Sequence, residues 1–365
     1  MGTVELKEVW KIYDNGFEAV KAISATIKDG EFISVLGPSG CGKTSTLRMI
    51  AGLEKVSRGD IRIDGIRVND LVPGDRNIAM AFESYALYPH LTVFENIAYP
   101  LRIRKQPESE IERQVNAMCD ALGIAPYKDL RPASLSGGAQ QRTGLARALV
   151  RSASVFLLDE VLSHLDANER AMLRGEIRRV QKLMRLTALF VTHDQLEALA
   201  MSDRIVVMND GELQQIGTPE EIYDTPANLF VAGFVGEPAM NTFHVERLQD
   251  GGRDVLLMGG QKVAAKDLGL RALPRAPRFI LGVRPKNLVL GEGGRPGYIS
   301  GRVHTFEMLG DFTLASIDVG SGELVFKIGD AGLRLGLDAP VAFSFEPDKV
   351  LFYDAETLNR IKLAS

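Results

Sequence analysis

Apolar and polar residues alternate almost from the first position. VELKEVWKIY keeps one apolar side at period two and predicts a strand. AISATIKDG, EFISVLG, DIRIDG and NIAMAFE repeat the signal, separated by Gly and Asp turns and by one helical stretch, TSTLRMIAGL. From about residue 84 the pattern turns helical. SEIERQVNAMCDALGI places Ile111, Val115, Met118 and Leu122 at spacings of three and four. Buried-strand runs return in SVFLLDE, TALFVTH and RIVVMNDG, with a helix expected from Asn168 to Leu186. Such strand–helix alternation predicts a largely parallel sheet covered by helices, interrupted by a helical segment over about 84–153.

A connector with Pro and Gly runs from about 216 to 241, and beyond it the period changes again. RFILGVRP, GYISGRVHTFEMLG, TLASIDVG, ELVFKIG, PVAFSFEP and KVLFY are short β-like stretches with frequent Gly turns, which predicts a small all-β barrel or sandwich. Two domains are therefore expected, 1–238 and 239–365. Composition agrees, since 365 residues exceed one ordinary domain and 45% apolar with 25% charged residues describe a globular chain with ample core. The net charge of −4 is spread along the length with no basic block, so no nucleic-acid partner is expected. Two distant cysteines, Cys41 and Cys119, offer no disulfide framework and suit a reducing compartment. The amino terminus lacks a charged-then-apolar leader pattern, and no apolar run approaches the roughly 18 residues that span a bilayer. The chain is expected to be soluble, with any membrane role reached through a partner.

Three segments carry chemistry. GPSGCGKT, Gly37 to Thr44, fits G-x-x-x-x-G-K-[ST] and lies between an apolar strand and a helix. In that context backbone N–H groups from Gly40 to Ser45 face phosphate oxygens, Lys43 reaches the β- and γ-phosphates and Thr44 ligates magnesium. Ser39, Cys41 and Gly42 complete the loop, and the expected ligand is magnesium–ATP. SVFLLDE ends a buried strand in Asp159 and Glu160; one carboxylate suits magnesium and its neighbour suits polarising a water. His193 follows another buried strand, where a histidine is usually structural but here is in reach of a γ-phosphate. The third segment, SLSGGAQQRTGLARAL, opens a helix with Ser136, Gly137 and Gly138, a second anion-binding helix start. Alone, Ser136 would be an ordinary N-cap.

Leu-Ser-Gly-Gly shortly before LLDE resembles the signature of ABC-type ATPases, and the resemblance runs along the whole chain. It is nearest the maltose-type ATPase subunits of bacterial carbohydrate and glycerol-phosphate importers. The resemblance implies an α/β P-loop ATPase core with an inserted helical subdomain and a small all-β, OB-like C-terminal domain. It implies that Ser136, Gly137, Gly138 and Gln140 close over ATP held by a second subunit, either another copy or a close homologue. Tyr13 then stacks on adenine, Glu160 acts on water, Asp159 and residue 83 serve magnesium, and Asp166 of SHLD communicates between the two sites. SYALYPHLTVFENIAYPL resembles the surface that receives a permease helix, while LFVAGFVGEPAMN and LGVRPKNL resemble the sugar-importing branch. The implied setting is peripheral, on the cytoplasmic face of the bacterial inner membrane. Its partners there are membrane-embedded permease subunits and, indirectly, an extracytoplasmic solute-binding protein.

Three positions depart from the family pattern: Glu83 replaces glutamine, Ala139 replaces glutamine and Val161 replaces proline. Glu83 sets a carboxylate beside the triphosphate, which predicts slower, strongly magnesium-dependent hydrolysis rather than a dead site. A low-turnover regulatory subunit paired with a more active homologue is the alternative. A soluble ABC-type ATPase of translation or DNA repair is disfavoured, since neither a second cassette nor a long coiled-coil insertion is present. Cys41 reads as a small residue in a crowded turn, although Lys43 and the helix start could lower its thiol pKa. Cys119 reads as core.

Overall fold

A computed structural model describes residues 2–151, 153–163, 165–320 and 324–363. The chain forms two compact units, the first ending at Glu220 and the second beginning at Glu221.

Two sheets build the first unit. Strands β1 (Val4–Ile12) and β2 (Glu18–Ile27) form an antiparallel pair, followed by the central strand β3 (Phe32–Leu36) and helix α1 (Lys43–Ala51). Strands β4 (Arg58–Ile63) and β5 (Ile66–Arg67) complete an antiparallel sheet in the order β2-β1-β4-β5. After β6 (Ile78–Ala81) comes the helical insertion: α2 (Val93–Ile103), α3 (Glu108–Ala121) and α4 (Gly137–Leu149). The chain then alternates through β7 (Val155–Asp159), α5 (Ala167–Met184), β8 (Thr187–Thr192), α6 (Gln195–Met201), β9 (Arg204–Asn209) and β10 (Glu212–Gly217). The second sheet has the order β10-β9-β3-β8-β7-β6, parallel except for the β9–β10 hairpin.

The sequence periods explain these elements. β3, β7 and β8 are buried along their whole length, as strands covered on both faces must be. In α3 the buried side chains are Ile111, Val115, Met118 and Cys119, with Leu122 just beyond the helix in the same core, so the apolar stripe faces inward. A capping box between Thr92 and Glu95 starts α2. The helix expected over 168–186 begins at Ala167 because the Asp166 carboxylate caps it, and it ends at Met184 because Arg185 turns left-handed. One core lies where α1 and the antiparallel sheet meet the parallel sheet; the other joins the helical insertion to the opposite face.

Arg76 fixes the far end of α1. Its guanidinium donates to the carbonyls of Met49 (2.7 Å) and Ile50 (3.0 Å) in the last turn of α1 and to that of Leu71 (2.9 Å), tying the helix end to the segment that follows β5. Burial lowers its pKa, and the carbonyls supply the compensation.

A short helix, α7 (Pro219–Asp224), spans the division between the units, and α8 (Leu229–Phe234) follows it. The remainder is β: β11 (Asn241–Asp250), β12 (Arg253–Met258), β13 (Gln261–Ala264), β14 (Arg278–Val283), β15 (Leu288–Gly291), β16 (Ile299–Met308), β17 (Phe312–Asp318), β18 (Leu324–Asp330), β19 (Pro340–Phe345), β20 (Leu351–Asp354) and β21 (Arg360–Ile361). They pair antiparallel in two sheets, β13-β12-β11-β14-β20-β21 and β15-β19-β16-β17-β18. Phe243, Phe343 and Phe345 are central to the core that both sheets contribute to. The first compact unit ends at Glu220, ahead of the 238 read from the sequence. Arg284 is the reason: it donates to the carbonyls of Tyr223, Ala232 and Val235 and stacks 4.2 Å from the Tyr223 ring centroid, so the connector packs with the β unit.

Candidate functional site

β3 is central in the parallel sheet, and its carboxyl end feeds the Gly37–Thr44 loop. Two features hold that loop tight. Gly42 has φ +99°, and a Cβ there would lie 2.2 Å from the Ala19 carbonyl oxygen, so only glycine fits. Thr46 then donates its hydroxyl to the Gly42 carbonyl at 2.9 Å. α1 starts without a side-chain cap and without an acidic residue in its first turn, so its N–H groups and positive dipole end are open to an anion. Lys43 is only 5% exposed, and its ammonium donates to the carbonyls of Gly37 and Pro38, both at 2.8 Å. A buried cation held by neutral carbonyls beside open N–H groups suits phosphate oxygens. Tyr13 lies alongside, its hydroxyl 3.0 Å from Ser45 Oγ and its ring 4.7 Å from the Lys11 ammonium.

Neighbouring strands bring the acidic groups to the same edge. Register aligns Leu36 with Thr192, Val191 with Asp159, and Leu158 with Ala81, so the loop, His193, the Asp159–Glu160 pair and Glu83 all leave one carboxyl end of the sheet. That edge is where open α/β sheets take ligands. Asp159 is 8% exposed, and burial pushes its pKa up. Arg48 and Lys43 oppose the rise, while Glu160 and Glu83 reinforce it. Glu83 is thus close enough to couple to the buried carboxylate. Glu160 sits at φ +47° with its carboxylate 3.4 Å from His193 Nδ1. Among the described residues no group of three or more His, Cys, Asp or Glu side chains is arranged to hold a metal alone. Magnesium commonly completes its shell with substrate phosphates, so Thr44 and Asp159 beside the phosphate loop still fit it.

Around His193 is a network that the sequence reading passed over. Asp194 caps α6, Thr192 donates to Glu197 at 2.5 Å, and Arg170 on α5 reaches Asp194 at 3.1 Å. The D-x-x-E spacing of Asp194 and Glu197 resembles a capping box and was the available signal. Asp166, one turn before Arg170, accepts from the N–H groups of Asn168 and Glu169 at 2.9 Å. His164 of the same SHLD segment lies outside the described residues.

The Ser136–Gly138 helix start belongs to the helical insertion. Ser136 Oγ accepts from the Ala139 N–H at 3.3 Å, and Gln140 folds back to donate to the Leu135 carbonyl at 3.2 Å. A Cβ on Gly138 would lie 2.6 Å from the Glu169 carboxylate, the movable end of a side chain on α5. Ala139 is buried, as is Val161. Cys41 is buried too, and burial raises its thiol pKa more than Lys43 lowers it, contrary to the lowering considered from the sequence. Cys119 lies in the helical core, its pKa pushed up to about 11.

Comparison with known proteins gives this edge a family. The ABC transporter family model matches residues 20–163, and the TOBE domain model matches residues 281–352. The Bacillus subtilis oligosaccharides import ATP-binding protein MsmX is 41% identical over 370 residues, covering 99% of this chain and 100% of its own. The chain belongs to the ABC transporter ATP-binding proteins. The Thermococcus litoralis trehalose/maltose import ATP-binding protein MalK is 42% identical over 374 residues, covering 98% of this chain and 99% of its own. Among solved structures, the dimeric post-hydrolysis cassette MJ0796 bound to ADP and Pi is 30% identical with a TM-score of 0.54, covering 59% of this chain and 98% of that one. The family's ATPase reaction and its ATP and magnesium requirement therefore apply to this chain, as do the α/β P-loop core and the all-β C-terminal domain. Its members work as ATPase pairs attached to membrane permeases. No helix among the described residues is long and apolar enough to cross a membrane.

Proposed function

We propose that this chain powers uptake of a sugar, polyol or glycerol derivative by hydrolysing ATP against a permease at the cytoplasmic face of the membrane. An extracytoplasmic solute-binding protein delivers the solute. The near full-length similarity to oligosaccharide and trehalose/maltose import proteins supports the solute class and gives no support to a purely regulatory role. Residues 1–238 carry the ATPase function, with 84–153 as its helical subdomain and the connector after Glu220 packed with the β unit, and 239–365 form an accessory domain for pairing or regulation.

Lys43 and the N–H groups of Gly40 to Ser45, including Cys41, Gly42 and Thr44, hold the β- and γ-phosphates, Ser39 completes the loop, and the Tyr13 ring carries the adenine. Magnesium, when bound with the triphosphate, neutralises charge that grows at the γ-phosphate. Thr44 and Asp159, joined by Glu83, would hold it. Glu160 accepts the proton of the attacking water while His193, 3.4 Å away, orients that carboxylate and contacts the γ-phosphate. Ser136, Gly137, Gly138 and Gln140 complete the site of the other subunit, and Asp166 couples the two sites.

The observation that carries this reading is the convergence of the phosphate loop, two carboxylates and a histidine at one sheet edge, with a second anion-binding helix start on the helical insertion. Glu160→Gln keeps the side chain's size but removes its basicity. Turnover should fall at least about 100-fold, the scale of general-base catalysis, with ATP affinity retained. Near-normal steady-state hydrolysis would assign the role to another group.

A further inference from the structure

Gln141 is an uncharged polar side chain only 4% exposed, one position beyond the signature residues on α4. Its Nε2 donates to the carbonyl of Val161, the residue immediately after Glu160. The backbone it grips is strained. Glu160 occupies the left-handed region at φ +47°, which a non-glycine residue keeps only when its surroundings impose it. Three other contacts impose it: the Glu160 N–H donates to Val191 O at 3.0 Å, and its carbonyl accepts from Ser163 N (3.2 Å) and Ser163 Oγ (2.9 Å). Those come from the parallel sheet and from the turn itself. Gln141 alone among these donors reaches in from the helical insertion.

We propose that Gln141 is a positioning residue that ties the signature helix to the turn bearing Glu160. α4 begins at Gly137, so Gln141 lies one helical turn from the anion-binding start. A displacement of that start when it meets a partner's phosphate is passed along a rigid helix turn to the Val161 carbonyl, and so to the carboxylate that acts on this chain's own ATP. Each chain thereby links the nucleotide it completes in its partner to the chemistry at its own P-loop. The inference rests on the roles of Glu160 and the signature given above.

Mixed pairs of full-length chains, isolated through two affinity tags, test it. In every pair one chain carries Glu160→Gln, so only the other chain's Glu160 turns over. Gln141→Met, which keeps volume but loses the donor, is then placed on either chain. On the chain with intact Glu160, turnover should fall at least about tenfold, with the affinity for a fluorescent ATP analogue within about twofold. On the Glu160→Gln chain the same change should alter turnover less than about twofold, because the turn it positions is already silent. Equal losses from both placements, loss only from the Glu160→Gln chain, or no loss would overturn the proposal. A Glu160→Gln pair that remains active would instead remove the premise about Glu160, separating the two failures. If Gln141→Met lacks a cooperative unfolding transition, Gln141→Leu, which is shorter and also lacks the donor, takes its place in both arms.

Discussion

At the residue scale the site is a contest between burial and charge. Asp159 is buried beside Glu160 and Glu83, and all three raise the cost of its ionised form, while Arg48 and Lys43 lower it. Substituting Glu83 by glutamine removes one like charge from this group and leaves a neutral oxygen for magnesium. ATP binding should persist, hydrolysis should be equal or faster, and the magnesium concentration for half-maximal rate should rise, since the hard cation loses an anionic oxygen. Turnover and magnesium titrations of the two proteins check this; a drop of more than about tenfold would make the carboxylate itself necessary. That Lys43, Thr44, Asp159, Glu160 and His193 follow or end buried strands could be read in the sequence, because each comes at the end of an apolar run or in the loop just beyond it. Gln141, Arg76 and Arg170 could not be read this way. Their partners are backbone carbonyls or acidic groups brought close by tertiary packing, and no local spacing announces a carbonyl.

At the element scale, strand order does what sequence spacing cannot. β3, β8, β7 and β6 are neighbours in the sheet but are separated along the chain by the helical insertion and the antiparallel strands. The buried-strand runs foretold the parallel sheet, and the period-three-to-four stripe foretold α3. The antiparallel sheet was less legible, because alternating strands do not specify their partners. Asp203 shows how such elements are locked. Its carboxylate accepts from the Phe32 N–H at 2.9 Å, from Lys182 at 3.1 Å and from Arg178, joining β3 to the end of α5 just before β9. Burial pushes its pKa up, but these hydrogen bonds outweigh that and hold it at about 2. A depressed carboxylate stabilises the fold above the ordinary Asp range and loses that contribution as pH falls through the depressed value. Asp203→Asn should therefore cost up to about 2 kcal/mol near neutral pH. Denaturant melts over a pH series should show the difference from the parent shrinking between about pH 4 and about pH 2. A pH-independent difference would mean the charge contributes little.

At the scale of the whole molecule, the second anion-binding start on α4 has its Ser136 hydroxyl engaged with the helix's own Ala139 N–H. In the function proposed above that start meets a second chain's ATP, and neither chain holds a complete site. The resemblance of Leu-Ser-Gly-Gly to the ABC-type signature implied this division. The packing of the connector was hidden, since it depends on the buried Arg284 bonding to carbonyls dozens of residues away. The most direct test mixes two inactive variants. Ser136→Arg spoils the signature but leaves its own P-loop and Glu160 intact, and Glu160→Gln does the reverse. Alone, each variant should bind ATP and hydrolyse almost none. Mixed, they form pairs in which one site joins an intact P-loop and Glu160 to an intact signature, and hydrolysis should return in proportion to mixed pairs formed. Recovery is the result the shared-site account predicts; mixtures as silent as their parents, or a Ser136→Arg protein that hydrolyses ATP by itself, would contradict it.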